Sequence, residues 1–500
     1  MNEVIQIPMQ SAGFPWLSLL LLLLPLGALI SVFLTEREAR WATLTTAIGA
    51  LLISLVIVAG FDSQQSGFQY VERSPWIPSL NIQYLLGLDG LSVLFLPFAA
   101  LLFIGIILAT WNAIRTMPKL FFALLLVLEM AIMGIFSSLD TILFFLFWEL
   151  SLLPLYFLIS LWGTGPNRRY AGVKYTLFMM AGGVPLLLGF VVMALQHPEG
   201  ITFDYTRLLH ISHTHGYQTA VFLLLMVGFA VKLPLFPLHS WLPVVAQEAP
   251  ASVIGILVGL KVGVYGMIRF AFPLAPGAAQ DFQPFLVGLG MLGVLYGALA
   301  ALGQTNLRRM LAFSSLSHVA MVFLGIVSLN QQGLQGALFQ LLNFTVVASG
   351  LFILIGFIHQ RIGSSEILSL GGISRSMPLL ASFFFFFGLA SIGIPGTSGF
   401  PAEFLLMVGV LESYMGAGLL ALFSIILAAG YFLSSYRKAF FGETRHAVVA
   451  ESPDLKKREL LIVLLFAAVV LLFGLYPQGI LDVTANSSLD WLGRMTLLME

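Results

Sequence analysis

Two lysines, Lys232 and Lys261, stand inside stretches that are otherwise apolar, and Glu149, Glu403 and His318 are stranded in the same way. A charge at the centre of a bilayer costs about 3 kcal/mol on insertion scales, so such residues face a bundle interior, pair or gather water, and mark ion or proton paths. Carboxylate, ammonium and imidazole in series are the parts of a proton relay. A Lys–Glu couple whose spacing changes alters the proton affinity of the lysine, because an opposite charge nearby stabilises the charged form. On this reading Glu149 tunes Lys232, Lys261 and His318 carry the proton laterally, and Glu403 receives it or passes it on. Static ion pairs are the competing explanation. They account for one Glu–Lys couple better than for five groups, two of them at helix breaks. His239, in Pro-Leu-His-Ser-Trp-Leu-Pro, reads equally as a relay member or as a satisfied histidine at the membrane edge. Glu129 and Glu412 are also placed inside spans, either facing the relay or facing a neighbouring subunit.

These groups need a scaffold that crosses a membrane. The chain is 59% hydrophobic and 9% charged over 500 residues, and its mean hydropathy of +0.98 is outside the range of a water-soluble core. Apolar runs of about 20 residues recur throughout, each long enough to cross a bilayer as a helix. They do not alternate as barrel strands must. Spans are expected at about 15–34, 41–61, 88–110, 119–136, 139–161, 172–195, 217–238, 250–272, 283–302, 310–328, 334–358, 379–399, 404–436 and 459–478. The fold class is all-α, a polytopic membrane protein of about fourteen helices. Residues Met1 to Gln10 carry no Lys or Arg, so the first run reads as a retained helix rather than a signal peptide.

The basic residues segregate on this map. Loops after odd-numbered spans carry Arg168, Arg169, Arg308, Arg309, Arg437, Lys438, Arg445, Lys456, Lys457 and Arg458 among others, and the opposite side only Arg73, Arg207, Arg269 and Arg494. The positive-inside rule then puts both termini on the non-cytoplasmic side.

Cysteine is absent, which excludes Cys-ligated iron–sulfur clusters, c-type haem attachment and disulfides. No Gly-rich phosphate loop follows a strand. Acidic and basic residues balance at 23 each, and nothing suggests a nucleic-acid partner. His210, His213 and His215 have a superficially metal-like spacing, but only Asp204 is a nearby carboxylate, so no metal site is assigned. His239 with His318 is the one couple that could face a b-type haem, and without a second couple there is no electron chain.

Two spans are interrupted: Lys-Leu-Pro-Leu-Phe-Pro at Lys232, with Pro234 and Pro237, and Ile-Pro-Gly-Thr-Ser-Gly-Phe-Pro-Ala-Glu at Glu403. Paired broken helices in corresponding halves point to inverted repeats with the site at the breaks. Spans 4–8 and 9–13 would be two inverted five-helix repeats, with breaks in spans 7 and 12. The expected division is 1–118 (three N-terminal helices), 119–272 and 283–436 (the repeats), and 437–500 (a cytoplasmic loop and the last span).

The motifs carry a resemblance. Phe-Trp-Glu at 147–149, Lys-Leu-Pro-Leu-Phe-Pro-Leu-His-Ser-Trp-Leu-Pro at 232–243, Glu-Ala-Pro at 248–250, Gln-Thr-Asn-Leu-Arg-Arg-Met-Leu-Ala-Phe-Ser-Ser-Leu-Ser-His at 304–318 and Pro-Gly-x-x-x-Phe-x-x-Glu-Phe at 395–404 resemble the antiporter-like membrane subunits of complex I. The likeness runs in order from span 3 to span 14. It is nearest the chain 4 branch of the cyanobacterial and chloroplast NAD(P)H–quinone oxidoreductases, through Asn-Arg-Arg-Tyr-Ala-Gly-Val-Lys-Tyr at 167–175. The resemblance implies a membrane-arm subunit among other membrane-arm subunits in a lipid bilayer, with no cofactor of its own. NAD(P)H or ferredoxin, the iron–sulfur clusters and plastoquinone would belong to other parts of the complex, and the membrane would be the cyanobacterial thylakoid. It implies ion-pair roles for Glu149 and Lys232, a central relay at Lys261 and His318, and a terminal role for Glu403.

The chain also departs from the pattern. Where Trp-Leu-Pro is usually followed by Asp-Ala-His it has Val244-Val245-Ala246, and where span 11 commonly has a histidine it has Phe344. These departures suit a variant subunit of a carbon dioxide uptake complex. A cation/proton antiporter subunit and a membrane scaffold with impaired pumping are the competing functions.

Overall fold

The computed structural model describes residues 8–211, 216–444 and 446–496. His213, His215, Arg445 and the first seven residues lie outside them. Among the described residues eleven helices are long and apolar enough to cross a membrane, and three shorter apolar helices, Phe95–Thr110, Gln218–Lys232 and Pro378–Ser391, stand at three other expected spans.

The chain opens with β1 (Met9–Ser11), α1 (Trp16–Phe33) and α2 (Glu36–Ala59). Helix α2 starts sharply because Thr35 and Glu38 form a reciprocal capping box. A hairpin then intervenes, β2 (Phe68–Ile77) and β3 (Ile82–Leu88), antiparallel, with β1 parallel to β2 on its other edge. This small sheet was not expected, and it delays the third span to α3 (Phe95–Thr110). Residues 88–94 form the end of β3 and a turn around Asp89 instead of helix.

Next come α4 (Pro118–Ser137), α5 (Thr141–Leu150), α6 (Leu152–Trp162) and α7 (Arg168–Leu195). Helix α5 is capped by Asp140, whose side chain accepts from the Ile142 and Leu143 amides. The seventh span is broken as expected into α8 (Gln218–Lys232) and α9 (Trp241–Glu248). Pro234 and Pro237 supply no backbone donor, so the ladder cannot cross them.

The eighth span is interrupted as well. Helix α10 (Ala251–Gly259) stops at Lys261, which adopts the left-handed conformation (φ +44°) before α11 (Val262–Gly266) and a π-turn at Met267–Ala271. A left-handed non-glycine residue beside a π-turn marks local strain of the kind found at functional sites.

The second half comprises α12 (Gln283–Leu302), α13 (Leu307–Val327), α14 (Gln331–Ile362), α15 (Pro378–Ser391), α16 (Gly399–Ser413), α17 (Met415–Phe440), α18 (Lys457–Leu475) and α19 (Gln478–Thr496). Helices α15 and α16 are two halves of one span broken at 392–398. The expected span at 404–436 had merged α16 with α17, because the stop at Ser413-Tyr414 has no proline or glycine between the helices. Glu412 is consequently exposed at the end of α16 rather than embedded. Helix α19, absent from the sequence reading, is held by Ser487 Oγ accepting the Gly90 amide (2.9 Å) and by the Trp491 indole donating to the Ile268 carbonyl (2.7 Å).

Arg269 also differs from expectation. It is a core residue, not a loop residue, 1% exposed, and pairs with Asp89 through two bonds of 2.7 and 2.5 Å. The expected span at 250–272 already contained Arg269, so its count among the loop charges did not fit that span, and the structure places it within the span, which runs to Leu274.

Candidate functional site

The breaks converge. A Cβ on Gly263 would lie 2.7 Å from the Leu233 amide nitrogen and 2.9 Å from the Phe229 carbonyl oxygen. Only a residue without a side chain lets α11 touch the end of α8 there. The helix end carrying Lys232 and the break carrying Lys261 are thereby neighbours.

Lys232 Nζ donates to the Trp148 carbonyl (3.1 Å) and to Ser151 Oγ (2.8 Å), and lies 3.9 Å from the centroid of the Trp148 ring. These partners sit at the junction of α5 and α6. The expected Glu149–Lys232 ion pair is not formed. Among the described residues the ion pairs are Arg73–Asp204, Arg269–Asp89, His318–Glu403 and Arg361–Glu459. The ammonium is satisfied instead by a carbonyl, a hydroxyl and an aromatic face, all within two residues of Glu149. Glu149 is half-buried, with its Oε1 only 2.3 Å from where a Cβ on Gly183 of α7 would stand. The two groups are thus close neighbours in an open arrangement.

Lys261 is 4% exposed and its Nζ donates to Ser315 Oγ on α13 at 2.5 Å. Three residues further along α13, His318 is also buried. A cavity of about 30 Å³ adjoins Ser315 and His318, lined also by Ser314, Phe344 and Ser391 among others. That is room for about one water, and three hydroxyls and an imidazole could hold it.

Beyond the cavity the polar contacts are direct. His318 Nδ1 lies 3.4 Å from Glu403 Oε1, and its Nε2 is 3.4 Å from the Tyr431 hydroxyl, which in turn meets Ser314 Oγ at 2.7 Å. Glu403 Oε1 accepts from Gln340 Nε2 (3.2 Å); Gln340 accepts from Asn343 (3.3 Å), and Asn343 accepts from Ser398 Oγ (2.6 Å) in the break itself. Gly393, at φ +73°, leaves space for Glu403: a Cβ there would be 2.4 Å from Oε2.

Sequence reasoning therefore found Lys261, His318 and Glu403 but missed the side chains between them. Ser315 lies in the quoted Phe-Ser-Ser-Leu-Ser-His motif, and Gln340 and Asn343 recur at a three-residue interval inside an apolar helix, so both were visible signals. Tyr431 had no sequence signal beyond its embedding in α17.

His239 is not brought to this series. It lies in the connector between α8 and α9, with Nε2 3.2 Å from the Tyr296 hydroxyl and its ring 5.6 Å from that of Phe236. Glu129 is fully buried within α4, facing no neighbouring subunit, and neither carboxylate oxygen has a hydrogen-bond partner. His210 lies in the last turn of a short helix at Tyr205–Ile211. Among the described residues no three His, Asp or Glu side chains are grouped to hold a metal. Phe344 packs edge-on to His318 at 5.9 Å.

This arrangement defines a polytopic helical membrane protein with three interrupted spans and ionisable side chains in series through its interior. Residues 138–428 match the family described as NADH:quinone oxidoreductase/Mrp antiporter, transmembrane, and the chain belongs to that family, the antiporter-like membrane subunits of complex I. It is similar to NADH-quinone oxidoreductase subunit M of Rhodobacter capsulatus, 36% identical over 467 residues and 90% of each chain. It is also similar to NAD(P)H-quinone oxidoreductase chain 4 1 of Synechococcus sp. (strain JA-3-3Ab), 38% identical over 483 residues, 94% of this chain and 91% of that protein. Among solved structures, a chain of respiratory complex I from Thermus thermophilus superposes with a TM-score of 0.88 at 31% identity, over 96% of this chain and 99% of that one. A chain of the Mrp complex from Dietzia sp. DQ12-45-1b shares the fold, with a TM-score of 0.84 at 22% identity over 97% of this chain and 99% of that one.

Proposed function

We propose that this chain is a proton-translocating membrane-arm subunit of an NAD(P)H- or ferredoxin-type plastoquinone oxidoreductase. Protons pass along Glu149, Lys232, Lys261, His318 and Glu403, driven by quinone reduction in other subunits. The observation that carries the reading is the contact series Lys261–Ser315, cavity, His318–Glu403, which runs from one broken span to the next. Lys261 is hydrogen-bonded to Ser315, and a cavity large enough for one water adjoins Ser315 and His318. His318 Nδ1 stands 3.4 Å from Glu403 Oε1, a gap that a small side-chain movement closes to the reach proton hopping requires. The two breaks lie in corresponding positions of 119–272 and 283–436, which supports the division into inverted repeats with 1–118 and 437–500 as flanks. His239 stands apart and is left as a structural histidine. The charge bias supports lumenal termini, and the likeness to a Synechococcus chain 4 supports a cyanobacterial thylakoid setting.

The test is proton uptake by proteoliposomes containing the intact complex. Lys261→Met should abolish most uptake while quinone reduction in detergent and subunit composition persist. Uptake at the parent rate in assembled complex would overturn the relay. Phe344 favours a second reading, a carbon dioxide uptake variant or scaffold with weakened pumping, since a phenyl ring next to His318 cannot exchange a proton. Weak uptake by the parent itself, with normal assembly, would select that reading.

A further inference from the structure

At the arginine-rich end of the bundle, away from the relay, a cavity of about 520 Å³ opens among α3, α6, α10, α14 and α18, within the size range of small-molecule sites. Arg115, Arg168, Arg308, Arg361, Lys456 and Arg458 all line it, and Glu459 is the one carboxylate that does. That carboxylate is already engaged by the Arg361 guanidinium and the Lys456 amide.

The balance is therefore strongly cationic, and part of it is buried. Arg308 is 1% exposed. Its Nη1 donates only to neutral acceptors, Thr164 Oγ1 (2.9 Å), the Gln247 carbonyl (3.3 Å) and the Ala249 carbonyl (3.1 Å). Glu248, the carboxylate that acts on Arg308 electrostatically, accepts from the Asn167 amide and forms no ion pair with Arg308. A buried guanidinium without a contacting counter-charge is costly. Moreover, Arg308 Nε, Arg458 Nε and His359 Nδ1 have no hydrogen-bond partner, and all three residues line this one cavity. The first turn of α10, Pro250 to Ser252, adds the positive end of a helix. Leu161, 37% exposed, and Trp162 extend one apolar wall toward the surface.

We infer that this cavity binds a tetrahedral oxyanion, either the phosphodiester of an acidic lipid or free inorganic phosphate. Forked guanidinium donors match phosphate oxygens in number and geometry, and basic pockets between spans on the positive side are where acidic headgroups settle. The site uses none of the relay residues, so its test stands apart from that of the proposed function.

The test uses the intact complex, purified in neutral detergent and stripped of loosely held lipid. It is titrated with dioctanoyl phosphatidylglycerol, dioctanoyl phosphatidylcholine or inorganic phosphate, and followed by heat-unfolding midpoint and calorimetry. Phosphatidylglycerol should raise the midpoint saturably and phosphatidylcholine should not. Arg458→Gln and Arg115→Gln, at residues less buried than Arg308, should each weaken binding at least tenfold. Lys438→Gln, a charge lost from the same side outside the cavity, should leave it unchanged. Saturation by inorganic phosphate that competes with the lipid identifies a free-anion site, and saturation by phosphatidylglycerol alone a lipid site. Equal responses to the two lipids without a response to phosphate, or equal losses in Lys438→Gln and Arg458→Gln, would overturn the inference.

Discussion

Replacing Asp89 should orphan a buried guanidinium whose ion pair, among the described residues, is with Asp89 alone. Arg269 projects from the π-turn that follows Lys261, and its Nη1 and Nη2 meet the two Asp89 oxygens at 2.7 and 2.5 Å. Both side chains are almost wholly buried. The rings of Phe68, Tyr205 and Tyr265 surround the guanidinium at 5.3–5.9 Å and offer it no negative charge. Removing one partner of such a pair costs about 3–5 kcal/mol, mostly as the penalty of the orphaned charge. With about 2.1 cal/mol/K of unfolding entropy per residue, 500 residues convert 1 kcal/mol to about 1 °C, so the heat-unfolding midpoint should fall by about 3–5 °C. Asp89→Asn is the sharper variant, because Asp89 Oδ1 also accepts from the Leu91 amide at 3.1 Å and asparagine keeps that turn while deleting the charge. Static light scattering or tryptophan fluorescence of the detergent-solubilised complex reads the midpoint. The double variant Asp89→Asn/Arg269→Met should recover most of the loss, since no charge is left unpaired. A midpoint within 1 °C of the parent for Asp89→Asn, or no recovery in the double variant, would refute the reasoning.

Ser315→Ala takes away the hydroxyl that holds Lys261 Nζ at 2.5 Å; a hydrogen bond to a charged group contributes about 1.5–3 kcal/mol. Proteoliposome proton uptake should fall several-fold, and Ser315→Thr should restore it. Phe344→His would place an imidazole on the cavity that already touches His318, Ser314 and Ser315, and should raise the initial rate of uptake; an unchanged or lower rate with normal assembly argues against a proton route there. Asp140 lies just ahead of the span at α5, and burial raises its carboxyl from 3.8 to about 6, against three backbone amides that pull it down. The folded chain then holds a proton that the unfolded chain lacks between those values, so stability should fall as pH rises from about 4 to about 6. Asp140→Asn should flatten that slope, which parallel melts across the window would show. Gly393→Ala should cost about 1–2 kcal/mol, because alanine disfavours φ +73° and its methyl meets the Glu403 carboxylate.

The spans were legible because membrane helices announce themselves by length and apolarity, and the breaks because Pro234, Pro237 and Pro395 cannot extend a helical ladder. The break at Lys261 was not legible: Gly259 and Gly263 are unremarkable in a membrane helix, and no proline marks the site. The hairpin at 68–88 went unread because its first strand, with Tyr-Val-Glu-Arg-Ser-Pro-Trp at 70–76, mixes polar and apolar residues without clean alternation. The charge bias located Arg308 and Arg458 on one side of the membrane but could not reveal that they share a cavity, which depends on contacts between residues more than a hundred positions apart. The buried ionisable residues were legible by type and their contacts were not. Glu149 and Lys232 invite each other on paper, yet Ser151 and the Trp148 carbonyl are what the ammonium reaches.

That difference changes where control of the path should reside. From Glu403 to Ser398 the groups are hydrogen-bonded in turn through Gln340 and Asn343, and His318 stands 3.4 Å from Glu403, so this part of the series has the least slack. The slack lies at two other places. One is the open couple of Glu149 and Lys232, whose distance sets their interaction and can change by rotation of a lysine side chain with four torsions. The other is the cavity beside Ser315 and His318, where one water would link the Lys261 partner to the imidazole and Phe344 supplies no proton-carrying group. If protons take the proposed path, one that is tight at one end and open at these two points should be rate-limited at the open points. Mutations there should change the rate of transfer more than stability, whereas mutations among His318, Glu403 and Gln340 should change both, because they leave buried polar atoms unpartnered. The ratio of lost rate to lost stability across the series is thus a map of where the gates are.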